Sequence, residues 1–219
     1  MPIRGVAFDV DGTLYSNRLM YALSIPLVLS RLRLLRAFRD IRLDLRKEGA
    51  VSDFYAVQAG RVAEALGIPV EEAEELINRK VYKTWEDILY LVPLRRGVRN
   101  TISRLREEGF KLAVSSDFPL KRKLKILKLE DVWDAVVPAE PTGASKPNPE
   151  PFLAVARALD LPPEEILYVG NNYDYDVVGA SSVGMKTAHI SPKSVENGLA
   201  DLTFRRFPEL LEWILARRA

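Results

Sequence analysis

The chain has 219 residues, 47% hydrophobic and 28% charged, with a formal net charge of +2. That length suits one full domain with a smaller appendage, and so small a net charge argues against a dedicated nucleic-acid binder. No cysteine is present, which excludes disulfides and thiolate metal sites; the single histidine, His189, excludes a multi-histidine metal centre and leaves any Ser-His-Asp triad resting on one residue.

In chain order, Ile3–Phe8 reads as a short buried strand ending in an acidic-glycine turn. The sequence enters this strand directly, without signal-peptide architecture. The charge-free apolar stretch that follows, 19–30, has 12 residues and contains Pro26, too few to span a bilayer. A cytoplasmic enzyme is therefore the expectation. Residues 16–91 read as helices throughout: Arg18–Arg46 with a proline interruption, Val51–Leu66, Val70–Thr84 and Trp85–Leu91.

The pattern then changes. A helix at Val98–Glu108, closed by Gly109, leads to a strand at Lys111–Ser115. Ala135–Val137 is a third strand, Glu150–Leu159 a helix, Ile166–Val169 a fourth strand, Val177–Val183 a helix and Lys186–Ile190 a fifth strand. The segment "FPELLEWILARR" reads as a closing amphipathic helix whose basic end complements the helix dipole. The strands are continuous apolar runs rather than alternating ones. The expected fold class is α/β: a doubly wound parallel sheet covered on both faces, with residues 1–15 and 92–219 as the core and 16–91 as an all-helical insert.

Ligands of open parallel sheets bind beyond the carboxyl ends of the strands. Those ends carry Asp9 and Asp11, then Ser115, Ser116 and Asp117, then Asn171 to Asp176. Two aspartates one residue apart need a proton or a cation between them. With only oxygen ligands available, Mg²⁺ is the expected cation, and Mg²⁺ points to a phosphate substrate. The plainer reading of an isolated DxD is a turn cap beside a solvated carboxylate.

"FDVDGTLY" (8–15), "LAVSSDFP" (112–119), "SKPNPEPF" (145–152) and "VGNNYDYDVVGA" (169–180) occur in the order of the motifs of the haloacid dehalogenase superfamily. The chain resembles the aspartate-nucleophile phosphohydrolases of that family over about 1–15 and 92–205. The resemblance implies a Rossmann-like core and a helical cap inserted after the first motif. It also implies that Asp9 is the nucleophile that becomes an aspartyl-phosphate, and that Asp11 is the general acid/base, offering its backbone carbonyl to Mg²⁺. Ser116, with Ser115 as the neighbour it could be confused with, implies the phosphate-binding hydroxyl. Asp117 falls beside it as a further substrate contact or a helix cap, and Lys146 is the lysine that neutralises phosphate and nucleophile.

The fourth motif departs from the family pattern. The acid that normally follows the glycine is Asn171, and the distal acid is Asp176. Asn171 brings an oxygen without charge, so weaker Mg²⁺ binding is expected; Asp174 is a less well-spaced substitute. Asp176 is expected at the metal, through a bound water, or on Lys146.

The implied activity is hydrolysis of a small phosphate monoester. A sugar phosphomutase on the same core and a degenerate fold used for binding or regulation are the alternatives. Residues 18–47 carry eight basic against two acidic residues. That segment reads as an amphipathic helix with a solvated basic face, the sharper alternatives being an anionic substrate, an acidic partner or a membrane surface. Leu19–Leu29 is left as a packing surface, a dimer contact or a membrane-facing edge. His189 reads as structural, and Trp85, Trp133 and Trp213 as packing residues.

Overall fold

The computed structural model describes residues 2–193, 195 and 198–217; the side chains of 27–29 are not described. Arg218, part of the expected basic helix end, lies outside the described residues.

Six parallel strands form one sheet in the order β3-β2-β1-β4-β5-β6. They are β1 (Gly5–Asp9), β2 (Lys111–Ser116), β3 (Ala135–Pro138), β4 (Ile166–Gly170), β5 (Lys186–Ile190) and β6 (Leu202–Phe204). The chain moves outward from β1 to β2 and β3, then returns to the other side of β1 at β4. The strand order therefore reverses beside β1, and the crevice this opens at the carboxyl edge is where α/β sheets bind ligands. Register fixes what stands there: Asp9 pairs with Ser115, Phe8 with Val169, and Gly170 with His189.

Alternation along the central strands divides the core between two faces. Val6 and Phe8 pack with Leu112, Val114, Leu167 and Val169 beneath the helices Val98–Glu107 and Phe207–Leu215. Ala7, Ala113 and Tyr168 face the other way, against Phe152 and Val155 of the helix Pro149–Leu159. Small alanines on that side let the helix approach closely. The doubly wound α/β arrangement is as read from the sequence. β6 was not anticipated: three residues are too few to show a period.

Between β1 and Val98 the chain is helical: α1 (Asn17–Leu29), α2 (Leu32–Glu48), α3 (Phe54–Leu66), α4 (Val70–Leu76) and α5 (Lys83–Leu89). The first break falls at Ser30–Arg31 rather than at Pro26, which lies inside α1. α3 begins three residues later than expected because Asp53 caps it, accepting the Ala56 N–H at 3.0 Å. A π-helical stretch, Ile77–Tyr82, joins α4 to α5 without a break. These helices have a small core of their own, with Leu34, Phe38, Val62, Ala63, Ile77 and Tyr82 in contact. Met20, Ile88 and Leu89 pack instead into the main core.

Past β2, α6 is taken as the helix Val98–Glu107 that precedes it, and α7 (Lys121–Ile126), α8 (Pro149–Leu159), α9 (Val178–Ser182) and α10 (Phe207–Leu215) follow. Trp133 and Trp213 pack against the core as expected, Trp133 with its ring 5.8 Å from Phe8. Among the described residues no helix is long and apolar enough to cross a membrane.

Candidate active site

β1 delivers Asp9 to the carboxyl edge of the sheet, and the turn after it carries Asp11. Gly12 makes that turn possible, with φ of +100° and no room for a Cβ, which would come within 2.6 Å of Asn17 and Asn171. Asp9, Asp11, Ser116, Asp117, Lys146, Asn171 and Asp176 all line one cleft of about 260 Å³. The sequence motifs, far apart in the chain, meet in that cleft.

Asp9 is buried. Its Oδ1 accepts from Lys146 Nζ at 2.7 Å and its Oδ2 from Thr13 Oγ1 at 2.8 Å. Burial pushes its carboxyl up to about 7; Lys146 pulls against this, while Asp176 and Asp11 push further in the same direction. Lys146 also donates to Asp176 Oδ1 at 2.6 Å, and its ammonium is held well above its usual value because Asp176 and Asp9 outweigh the cost of burial. A buried lysine with two carboxylates remains charged.

Asp176 works locally as well. Its Oδ2 accepts the backbone N–H groups of Asn171 and Asn172 at 3.1 and 3.0 Å, which shapes the loop after β4. Both its oxygens are thus taken by Lys146 and by the loop. Gly170 lies against it so closely that a Cβ there would be 2.3 Å from the Asp176 side chain. Asp174 is exposed and does not line the cleft.

Asp11 has more donors than the sequence revealed. Lys123 of α7, itself buried, reaches both its oxygens at 2.7 and 2.6 Å. Ser116 Oγ donates at 2.7 Å, the Trp85 indole N–H at 3.2 Å, and Tyr15 OH donates as well. Burial favours the neutral acid, but Lys123 and these hydrogen bonds outweigh it, so the carboxyl is held below its usual value. Trp85 is therefore more than a packing residue: the helical segment contributes a hydrogen bond to the site. Lys123 was missed because "KRKLK" reads as a charged helix, and nothing in its spacing singles out one lysine.

Of the two serines, Ser116 is the one in the cleft; Ser115 Oγ is buried without a partner. Asp117 does not cap α7, whose N-cap residue is Leu120 without a side-chain bond. Asp117 Oδ1 instead accepts the Lys146 N–H at 3.0 Å, and Oδ2 pairs with Arg46. Arg46 also stacks 4.2 Å from the Tyr175 ring, and its buried Nε has no partner. His189 has the structural place expected of it, with Nε2 on the Asn171 carbonyl at 3.1 Å.

Asn171 supplies the test for a cation. Its side-chain oxygen sits 3.0 Å from the Asp11 carbonyl, 3.3 Å from Asp9 Oδ2 and 3.1 Å from Thr13 Oγ1. Neighbouring oxygens around Mg²⁺ lie roughly 2.9 Å apart, so the amide oxygen stands close to one shell edge from the Asp11 carbonyl and somewhat farther from the Asp9 carboxylate. With the amide turned over, its NH₂ donates to the same three oxygens. The donor set thus fits a hard cation, and it also satisfies itself without one. Among the described residues no group of three or more His, Cys, Asp or Glu side chains could hold a metal, so binding here depends on the carbonyl and amide oxygens.

A second, larger cavity of about 610 Å³ adjoins the cleft, open to solvent and lined by α1, α2, the Ile77–Tyr82 turn and α5 on one side and by the Phe118–Lys123 segment on the other. Tyr21, Arg46, Trp85 and Phe118 line both spaces. The basic face of α2 is only partly solvated. Arg33, Arg36, Arg39 and Lys47 are exposed, but Arg42 is buried, paired with Glu140 and donating to Gln58 at 3.0 Å and to the Asp117 carbonyl at 2.7 Å.

The chain is similar to proteins named as phosphatases and pyrophosphatases. A glyceraldehyde 3-phosphate phosphatase of Methanopyrus kandleri is 32% identical, over 86% of this chain and 84% of that protein. A pyrophosphatase PpaX of Halalkalibacterium halodurans is 29% identical, over 97% of each. Among solved structures, a HAD phosphatase from Thermococcus onnurineus superposes with a TM-score of 0.67 at 25% identity, over 99% of both chains. The L-2-haloacid dehalogenase RSc1362 shares the fold, with a TM-score of 0.70 at 21% identity. The family model "haloacid dehalogenase-like hydrolase" matches residues 3–184, and the chain belongs to that family.

Proposed function

We propose that the protein is a Mg²⁺-dependent phosphatase that cleaves phosphate monoesters through a phosphorylated Asp9. The observation that carries this reading is the joining of Asp9 and Asp11 in one cleft, each bonded to its own buried lysine. The second aspartate supports phosphoryl transfer over carbon–halogen chemistry, since it provides the proton shuttle that ester cleavage needs. The names of the phosphatase relatives support the same direction.

In the first step a carboxylate oxygen of Asp9 attacks phosphorus, the bond from phosphorus to the ester oxygen breaks, and the leaving oxygen takes a proton from Asp11. Asp11 is then a carboxylate, held by Lys123 at both oxygens and ready to accept a proton. Water then attacks the phosphoryl-Asp9, giving a proton to Asp11; the bond from phosphorus to Asp9 breaks and inorganic phosphate leaves. Lys146 holds positive charge beside Asp9 throughout, and Ser116 and the free Nε of Arg46 are placed to bind phosphate oxygens. Asp9, the Asp11 carbonyl and Asn171 would hold Mg²⁺, which supplies charge to offset the dianionic phosphate. Residues 16–91 act as the cap, with Asn17, Tyr21, Arg46 and Trp85 as its residues in the cleft.

The test is hydrolysis of a generic aryl phosphate with Mg²⁺ by the wild type and by Asp9→Asn. Loss of turnover in the variant, with phosphate trapped on Asp9 of the wild type in quenched samples, is expected. Equal rates in the two proteins would overturn the reading.

A further inference from the structure

We propose that the leaving group of the substrate is bulky and apolar, an aryl group or an alkyl chain, and that it occupies the 610 Å³ cavity between α2 and the Phe118–Lys123 segment. This rests on the phosphatase reading of the cleft and names the substrate class that the cleft serves.

The first support is continuity. Because Tyr21, Arg46, Trp85 and Phe118 line both spaces, a group attached to a phosphate beside Asp9 enters the larger cavity directly. The second is size. Cavities of roughly 300–1,000 Å³ accept ligands of drug size. A three-carbon leaving group would leave most of this one unfilled.

The third support is chemistry. Leu32, Leu35, Phe38, Leu43, Val81 and Phe118 supply apolar wall from several elements. Exposed Arg36 and Arg39 and the half-buried Arg46 also line the cavity, but the other charged side chains of the wall are already engaged. Arg42 is paired with Glu140, Lys123 with Asp11, Glu86 with Arg122, and Tyr82 OH with Glu140. Ser24 Oγ donates to the Tyr21 carbonyl at 2.8 Å. A sugar or triose entering there would lose water from its hydroxyls and, away from the arginines of α2, find few partners. An apolar group loses nothing by the exchange.

The experiment uses the full chain with Mg²⁺ and the series methyl, butyl, hexyl and octyl phosphate, together with 1-naphthyl phosphate and glyceraldehyde 3-phosphate. The expected result is a kcat/KM that rises by up to about fourfold per methylene until the cavity is filled, with hexyl at least about 100-fold above methyl. Leu35→Trp, which fills the space, should lower the hexyl-to-methyl ratio by about tenfold or more. A flat series, or glyceraldehyde 3-phosphate as the best substrate, overturns the proposal, and so does an unchanged ratio in Leu35→Trp. Calorimetry of hexyl- against methylphosphonate binding to Asp9→Asn separates the two readings. Chain-length-dependent binding without any ester hydrolysis keeps the cavity assignment and ends the phosphatase reading; hydrolysis with a flat series does the reverse.

Discussion

Lys123 grips both carboxylate oxygens of Asp11, at 2.7 and 2.6 Å, from a helix that carries none of the family's four motifs. Two aspartates stand side by side at the end of β1 because each has its own buried lysine: Lys146 for Asp9 and Lys123 for Asp11. The pairing makes the two acids different. Asp9 is pushed up by burial, whereas Asp11 is held down because Lys123 and its hydrogen bonds exceed the effect of burial. Divergent environments of this kind separate the roles of neighbouring acids.

Removing that lysine should therefore alter proton transfer before it alters binding. In Lys123→Met the burial of Asp11 is no longer offset, and its carboxyl titrates at higher pH. We expect kcat to fall by about 10- to 100-fold and the limb of the pH–rate profile that Asp11 sets to move upward. Lys123→Arg should restore part of the rate. A profile whose limbs stay in place would show that Lys123 serves packing alone.

Asn171 allows a prediction about the metal. In Asn171→Asp a third carboxylate faces Asp9 Oδ2 and the Asp11 carbonyl, with no NH₂ to relieve the contact. Without Mg²⁺ the variant should melt below the wild type; with Mg²⁺ its gain in Tm should be the larger of the two. The Mg²⁺ concentration for half-maximal rate should fall roughly tenfold, because affinity at oxygen sites follows ligand charge. An unchanged or higher requirement, or a metal-free variant as stable as the wild type, would contradict this account.

These two residues mark where sequence is informative. Asp9, Asp11, Ser116, Lys146 and Asp176 follow strand ends or short loops, and parallel-sheet topology brings strand ends together whatever the rest of the chain does. Lys123 and Trp85 reach the site from helices, where the direction of one side chain depends on how the helix is docked. That docking is set by contacts such as Met20, Ile88 and Leu89 in the main core, which no period in the sequence reports. Arg42 and Arg46 illustrate the same limit. They belong to a basic stripe that reads as solvent-facing, yet their partners Glu140 and Asp117 are about 98 and 71 residues away.

Arg42 gives a stability prediction. Its guanidinium and Glu140 are both buried, and Gln58 donates to Tyr82 OH at 2.9 Å, which in turn donates to Glu140 at 2.8 Å. The cluster joins α2, α3 and the π-helical stretch to the core. Glu140→Gln leaves a buried guanidinium without its counter-charge and should cost about 3 kcal/mol or more in denaturant unfolding. The double change Arg42→Met with Glu140→Leu should lie closer to the wild type, because neither charge is then stranded. A double variant as unstable as Glu140→Gln would mean that the hydrogen-bond network, rather than the charge pair, holds the helices to the core.

The raised carboxyl of Asp9 also makes stability depend on pH. The folded protein holds the Asp9 proton up to about pH 7, whereas the unfolded chain releases it near 3.8. Between those values the folded state binds more protons, so stability falls as pH rises, with no contribution below the lower value and a constant penalty above the upper one. Asp9→Asn is neutral throughout, and Lys146 keeps Asp176 as its partner in that variant. Measured in EDTA, the wild type should therefore lose stability relative to Asp9→Asn as pH rises from about 4 to 7. Added Mg²⁺ should flatten the difference, since a cation beside Asp9 stabilises the ionised carboxylate. If the two proteins instead change in parallel over that range, Lys146 alone already keeps Asp9 ionised, and the nucleophile stands ready without a metal.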